Sequence, residues 1–164
     1  ALRLSDRIAV FNQGKIEQVG TGPQLYASPA TRFVADFVGD SAFLSGQLQT
    51  VAGETATLRF ADGTVLTGLP LHGAGQAGGQ ADLMLRPERI GLGEQAGPTG
   101  ASLPVTIEDV TFLGNNSTVS ARTSWGEALT VRLNFGHPML GQVRRGDRLH
   151  VHWQAQDAHA FARS

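Results

Sequence analysis

The spacing of hydrophobic residues changes near residue 40. Before that point the pattern mixes hairpin and helical periods, and from residue 43 onward apolar and polar residues alternate. Residues 7–19 predict two short strands, and Asn12-Gln13-Gly14 between them suits a three-residue loop with glycine in the left-handed conformation. A lone hairpin is marginally stable in water, so we expect it to pack on another part of the chain.

Two short helices are predicted after the hairpin. The first lies within 21–29, where Thr21 can cap the first turn, and the second lies within 30–40, where Thr31 is the cap and Gly39 the stop. In the second helix, four apolar residues at positions i, i+1, i+4 and i+5 predict one packed stripe: Phe33, Val34, Phe37 and Val38. This stripe is typical of core packing rather than of a cofactor site.

The rest of the chain has the period of two that is typical of half-buried strands. Turn sequences separate the alternating runs, among them Ala61-Asp62-Gly63 and Arg145-Gly146-Asp147. About seven or eight short strands at this spacing predict a small antiparallel barrel or sandwich. The chain is therefore predicted to be mainly β, with an α/β tail over residues 1–40 and an all-β domain over residues 41–164.

Composition excludes several kinds of function. The sequence has no cysteine, so disulfides, thiolate metal sites and cysteine nucleophiles are excluded. The formal net charge is −1 and aromatic residues make up 7%, which argues against a nucleic-acid-binding surface, because such a surface is usually strongly basic. No apolar run approaches the ~20 residues that cross a bilayer as a helix.

Catalytic motifs are also missing. The sequence contains neither a GxxxxGK[ST] phosphate-binding loop nor a GxGxxG, HExxH or GxSxG pattern, so no catalytic or cofactor-binding residue is assigned. His150 and His152 share one face of a predicted strand, and His159 lies nearby in sequence. The spacing supplies no convincing third ligand, so we expect an ordinary strand face beside Trp153 and no metal site.

The stretch LMLRPERIGL places a charged corner, Arg86-Pro87-Glu88, between two apolar runs. Pro87 predicts a strand break, because proline cannot donate to a strand ladder. Arg86 could bind an anion with Glu88 orienting it. The alternative is a structural bend with a surface ion pair of little energetic weight. These three residues are the regulatory or structural candidates of the sequence.

Several segments then match a known family. LSDRIAV, GKIEQVG, LYASP and RFVADFVG occur in the order and spacing found at the end of the nucleotide-binding domain of ABC importer ATPase subunits, which residues 1–40 closely resemble. LRPERI resembles the Arg-Pro-Glu signature of the C-terminal TOBE domain in these subunits. VTIEDVTFLGNNSTVSART and GDRLHVHW resemble the later strands of that domain. The resemblance covers nearly the whole chain.

The resemblance implies a C-terminal remnant of a nucleotide-binding domain followed by an OB-fold-like regulatory β-barrel. In the family the motifs that hydrolyse ATP precede this region, so we expect this chain, as a fragment of a longer subunit, to bind no cofactor and to hydrolyse no ATP. The parent subunit would be a transport ATPase that uses ATP and Mg²⁺. The resemblance is greatest to the spermidine/putrescine branch, so the expected cargo is a polyamine.

The resemblance also implies partners and a location. These are a second copy of the subunit in a homodimer, permease subunits contacted through the preceding nucleotide-binding domain, and a cytosolic regulatory ligand. The expected location is cytoplasmic, peripheral on the inner face of the cell membrane. Two other functions stay open at this point: a small oxyanion-binding module like the related molybdate-binding barrels, and a nucleic-acid-binding OB-fold, which the net charge of −1 disfavours.

Overall fold

The computed structural model describes residues 6–97 and 100–163, so Leu4 and Ser5 of the LSDRIAV segment lie outside the described residues. The strands, numbered in chain order, are β1 (Arg7–Asn12), β2 (Lys15–Thr21), β3 (Ala42–Ala52), β4 (Thr55–Arg59), β5 (Val65–His72), β6 (Gln80–Leu85), β7 (Gly91–Gly93), β8 (Ser102–Phe112), β9 (Asn116–Thr123), β10 (Ala128–Asn134), β11 (Arg148–His152) and β12 (Ala158–Ala162). The helices are α1 (Gly22–Ala27), α2 (Arg32–Val38) and two 3₁₀ turns at Pro87–Arg89 and Ala155–Asp157. The prediction of a mainly β fold with a short α/β tail is confirmed.

The N-terminal segment, defined here as residues 6–40, begins with the hairpin of β1 and β2. Its turn contains two residues, Gln13 and Gly14, rather than the predicted three-residue loop. Both residues have positive φ, at 51° and 78°, which is the conformation of a tight turn that matches the twist of the strands. Asn12 is the last residue of β1, paired with Lys15 of β2.

Both predicted helix caps are confirmed. The Thr21 hydroxyl accepts a hydrogen bond from the Gln24 backbone, and the Gln24 side chain accepts one from the Thr21 backbone at 2.8 Å, which forms a capping box. Thr31 accepts from the Val34 backbone at 3.2 Å. These bonds satisfy backbone donors that have no partner inside the helix, so each helix begins at a fixed residue.

The predicted apolar stripe of α2 is only partly correct. Val34 is fully buried against Val10 and Leu25, where it forms a small core of the N-terminal segment. Phe33 and Phe37 are instead 38% and 65% exposed, and their rings stack on each other with centroids 6.2 Å apart. The expectation that both phenylalanines pack inside is wrong, because this two-turn helix buries the side that carries Val34 and Ala35.

Five strands form a closed barrel in the order β12-β5-β4-β3-β6. Four of its neighbouring pairs are antiparallel, and β12 runs parallel to β5. The other β unit of the 41–164 region is a five-stranded sheet in the order β10-β9-β8-β11-β7. The chain therefore builds most of the barrel, then the sheet, and returns to the barrel with β12.

The barrel and the sheet share one apolar core. It contains fully buried side chains from both units, such as Leu83 of β6 and Val151 of β11. Phe60 beside the barrel stacks on Trp125 at 4.8 Å between ring centroids. The Glu127 carboxylate accepts from the Ser45 backbone of β3 at 2.9 Å. Apolar packing and this hydrogen bond fix the sheet on the barrel.

Candidate functional site at the joint

Arg86 is 2% exposed and is the largest of the fully buried side chains in the described structure. It follows the last residue of β6 and precedes the 3₁₀ turn that begins at Pro87. Proline fits the first position of such a turn, because its fixed φ suits the turn and its missing N–H has no partner there in any case. The Arg86-Pro87 sequence thus ends β6 and buries the Arg86 guanidinium at the interface between the barrel and the N-terminal segment. We call this interface the joint.

The Arg86 guanidinium donates to backbone carbonyls of the N-terminal segment. Nη2 lies 3.3 Å from the Tyr26 carbonyl in the last turn of α1, and Nη1 lies 3.2 Å from the Ala35 carbonyl in the last turn of α2. Nη1 also contacts the Asp40 carbonyl at 3.3 Å and the Ser41 hydroxyl at 2.9 Å. Carbonyls in the last turn lack partners inside the helix and carry partial negative charge, so one cation stabilises the C-terminal ends of both helices.

Tyr26 and Gly39 pack closely around the Arg86 guanidinium. The Arg86 guanidinium carbon lies 4.3 Å from the centroid of the Tyr26 ring, within cation–π range. A Cβ on Gly39 would lie 3.0 Å from Arg86 Nη1 and 3.4 Å from the Tyr26 ring. Gly39 has an extended backbone, with φ of −176°, so it leaves space for the guanidinium rather than supplying a left-handed turn. Burial lowers the pKa of Arg86 from its ordinary value.

Glu88 has other partners than Arg86 in the described part of the chain. The Tyr26 hydroxyl donates to Glu88 Oε2, and Arg132 Nη1 of β10 lies 3.6 Å from Glu88 Oε1. Burial, followed by the hydrogen bond to Glu88, raises the pKa of Tyr26. Arg86 and Glu88 therefore bind the same helix from two positions, Arg86 at the Tyr26 carbonyl and Glu88 at the hydroxyl of the same residue.

A second polar contact crosses the joint, and here the arginine belongs to the N-terminal segment and the acceptor to the barrel. Arg32 of α2 donates to the buried Asp82 carboxylate of β6 at 2.6 Å, and Arg163, which follows β12, donates to both oxygens of the same carboxylate. Burial acts to raise the pKa of Asp82, but the hydrogen bonds from Arg163 and Arg32 outweigh it, so the pKa is lowered. Asp82 therefore stays ionised and connects the N-terminal segment with two strands of the barrel.

Apolar contacts complete the joint. Ala35 of α2 is fully buried against Met84 of β6 and Phe161 of β12, with Phe43 of β3 at the margin. The Arg32 guanidinium carbon lies 4.2 Å from the centroid of the Phe43 ring. The small size of Ala35 lets the helix approach the barrel closely enough for the arginine contacts to form.

The three histidines singled out in the sequence do not form one site. His159 of β12 pairs with His72 of β5, with Nδ1 and Nε2 2.8 Å apart, whereas His150 and His152 lie on β11 opposite Gly93 and Gly91. No cluster of three or more histidine, aspartate or glutamate side chains suited to a metal ion occurs within residues 6–97 and 100–163.

The charged corner was found from sequence, but Asp82 and Arg32 were missed. A single acid inside the apolar run ADLML was the available signal for Asp82.

Residues 83–161 match the TOBE domain family. The chain is 39% identical over 132 residues to a spermidine/putrescine import ATP-binding protein of Pseudomonas aeruginosa, covering 80% of this chain and 35% of the relative. It is 34% identical over 157 residues to one of Rubrobacter xylanophilus, covering 95% and 41% of the respective chains. The chain belongs to the ATP-binding subunits of ABC importers that carry a TOBE domain. Within that family, both of these relatives are import ATP-binding proteins for spermidine and putrescine, and the chain spans about two fifths of their length.

A solved structure supports the fold. The cytoplasmic molybdate-binding protein ModG superposes with a TM-score of 0.56 over 81% of this chain and 97% of its own, at 11% sequence identity. At that identity the likeness concerns the fold alone. In the ranges that the structure describes, no helix has the length and apolar character needed to cross a membrane.

Proposed function

We propose that this chain is the C-terminal regulatory and dimerisation region of the ATP-binding subunit of a polyamine importer of the ABC class. Its relatives are import ATP-binding proteins for spermidine and putrescine, and they extend well beyond the region matched here. The parent subunit would bind ATP and Mg²⁺ and hydrolyse ATP with residues outside this chain. This chain alone would then bind no nucleotide and turn over no ATP.

The geometry of the joint is the observation that carries the proposal. The N-terminal segment contributes only a small core of its own, built on Val10, Leu25 and Val34. Its two helices are held on the barrel by Arg86 and by the Arg32–Asp82 pair. A buried guanidinium that bonds several carbonyls fixes orientation as well as distance. The barrel would therefore follow any movement of the nucleotide-binding domain to which the segment belongs.

This arrangement suits a regulatory region. In the proposed assembly, the barrel and sheet of one subunit contact those of a second copy, and the preceding nucleotide-binding domains contact the permease on the cytoplasmic face of the membrane. A symmetric dimer requires one surface that is complementary to itself. Sedimentation equilibrium of the chain at increasing concentration tests the dimer, and a monomer at all concentrations would remove the dimerisation role.

A chimera tests the transport role directly. This chain replaces the matching C-terminal region of the Pseudomonas aeruginosa relative, and spermidine uptake is measured in cells that lack the native subunit. We expect the chimera to restore uptake and its Arg86→Met version to restore it poorly, because the joint no longer fixes the barrel. The relative with its own C-terminal region is the control. ATP hydrolysis by a well-folded chimera without any uptake would contradict the proposal.

A further inference from the structure

Two histidines meet at one side of the joint, where α1 ends. His159 of β12 is buried and His72 of β5 is half-buried, and the atoms His72 Nε2 and His159 Nδ1 lie 2.8 Å apart. The last residue of α1, Ala27, and the next residue, Ser28, line a cavity of about 440 Å³ together with both histidines. We call His72 and His159 the histidine pair.

The hydrogen bonds of the pair determine where a proton can be added. His159 Nε2 lies 3.1 Å from the Gln156 carbonyl, which can only accept, so Nε2 carries a proton. His159 Nδ1 then accepts from His72 Nε2–H. The nitrogen left to take up a proton is His72 Nδ1, and a second proton would have to displace the bond between the rings. Each added proton is therefore a new positive charge at the joint.

The side chains around the pair leave such a charge without a partner. The charged or titratable side chains that line the cavities beside the pair are Tyr26, Glu54, Arg86, Arg89 and Asp157. Two of these are cationic and two are anionic, and burial raises the pKa of Tyr26, which stays neutral. Within the part of the chain that the structure describes, neither ring is hydrogen-bonded to a carboxylate. Burial is the main cause that lowers the pKa of both histidines.

The contact between α1 and the pair is loosely packed. A second cavity, of about 290 Å³, borders both Ala27 and His159. The N-terminal segment also has only a small core of its own. Parts of a protein with few buried apolar contacts open at a lower free energy than its main core. We therefore expect the joint to open while the barrel stays folded, and this opening brings both rings into water.

We propose that the histidine pair is a pH-sensitive switch of the joint. When the pair takes up a proton, the N-terminal segment separates from the barrel, and the barrel remains folded. The open joint is favoured as the pH falls, because water solvates the added charge there, whereas the closed joint buries it. The closed joint predominates above about pH 6.5, the ordinary histidine value, and opening increases below it.

The switch does not depend on the proposed function. The contacts between the N-terminal segment and the barrel are made within this chain, whatever the parent subunit transports. In the proposed subunit, acidification would weaken the coupling between the nucleotide-binding domain and the barrel.

Amide hydrogen exchange of this chain, followed by NMR at about pH 7.5 and about pH 5.5, tests the switch, with each rate divided by the intrinsic exchange rate at that pH. The Ser28 and Ala35 amides report on the joint, because each donates to a carbonyl of its own helix or cap, and the Leu48 amide reports on the barrel. We expect the opening constant at Ser28 and Ala35 to rise by about fivefold at the lower pH, within the limit of about tenfold that one histidine can give over this range. Leu48 should keep its protection. An unchanged opening constant at Ser28 and Ala35, or an equal rise at Leu48, would overturn the proposal.

A variant separates the histidine pair from other titrating groups. In His72→Gln the glutamine keeps a donor for His159 Nδ1 but takes up no proton, so the rise at Ser28 should fall below about twofold. His150→Gln on β11 is the matched control and should keep the rise of about fivefold. Protection of the Leu48 amide at the higher pH shows that each variant is folded. A rise that persists in His72→Gln, or that disappears in both variants, would mean that other groups open the joint and would contradict the switch.

The titration of the rings is a second measurement, made on the native chain. NMR chemical shifts of the imidazole protons give the pKa of each histidine, and we expect His72 to titrate below about 6.5. A His72 pKa at or above this value would contradict the switch, because the closed joint would then bind the proton as well as the open joint does.

None of these measurements requires ATP or transport. A chain without pH-dependent opening loses the switch but keeps the uptake role that the chimera tests. A chimera that fails in uptake leaves the hydrogen-exchange result unchanged. The two proposals can therefore fail separately.

Discussion

Inside the barrel, Leu44, Leu58 and Leu83 lie fully buried among other apolar side chains, whereas the joint buries a charged group, the guanidinium of Arg86. Apolar packing has no preferred direction and depends little on salt. Hydrogen bonds from a planar guanidinium to carbonyls have fixed directions. The comparison teaches that the barrel core supplies most of the stability, and that the joint specifies how the N-terminal segment is oriented.

The largest effect is expected inside the barrel. Leu83→Ala leaves a cavity in the centre of β6 and should lower the free energy of unfolding by about 3 kcal/mol. Val65→Ala, on β5 with Val65 42% exposed, is the matched control and should cost less than about 1 kcal/mol. Urea unfolding followed by tryptophan fluorescence gives both values. Similar losses for the two variants would show that the barrel interior is not the dominant core.

The next effect is expected at the joint. Arg86→Met leaves the Tyr26, Ala35 and Asp40 carbonyls without their donor and should destabilise the N-terminal segment by about 2 kcal/mol. Hydrogen exchange should become faster in α1 and α2 while the amides of the barrel stay protected. The control is Arg145→Met, because Arg145 is exposed in the turn before β11, away from the joint. If exchange in the barrel rises as much as in the helices, the two regions are one cooperative unit.

Arg32→Gln should have a smaller effect. It removes one of the two arginines at Asp82 while Arg163 keeps the carboxylate paired, so we expect a loss of about 1 kcal/mol. The loss should shrink in high salt, because Arg32 is half exposed and its charge is screened. Arg122→Gln breaks the exposed pair with Glu108 and should cost less than Arg32→Gln, because water solvates both side chains of that pair. A larger loss for Arg122→Gln would contradict the role of the joint.

The smallest effect concerns pH. Burial and then the nearby His159 lower the pKa of His72, and burial also lowers the pKa of His159. The unfolded chain therefore binds more protons, so stability should fall as the pH drops through about 6.5, the ordinary histidine value.

His72→Gln keeps a donor near His159 and removes one titrating group. Between about pH 7.5 and about pH 5.5 it should lose less stability than the native chain, by under about 1 kcal/mol. His150→Gln on β11 serves as the control. A native chain whose Tm does not change over this range would contradict the expected pH dependence.

Local features of the N-terminal segment could be predicted from sequence because neighbouring residues determine them. Thr21 and Thr31 cap the helices through residues three positions away, and Gly14 permits the turn. The burial of α2 could not be predicted in detail. Val34 and Phe33 are adjacent and equally apolar, and only the position of the hairpin and barrel decides which one is buried.

The arrangement of the strands and the bonds of Arg86 depend on residues that are far apart in sequence. β5 and β12 pair with each other at Leu71 and Ala160. The alternation of apolar and polar residues does not specify which strands pair. The Arg-Pro-Glu corner could be recognised as unusual, but three of the partners of Arg86 are backbone carbonyls that lie 46 to 60 positions away. Every residue has a carbonyl, so sequence composition cannot identify which ones accept.

Strand β12 has a consequence for synthesis of the chain. It completes the barrel by lying between β5 and β6, and all five strands of the other sheet are translated before it. Until the ribosome releases Ala158–Ala162, β5 and β6 each keep an unpaired edge, and unpaired edges are where nascent chains associate wrongly. The barrel can therefore close only after all the strands of the sheet have been synthesised.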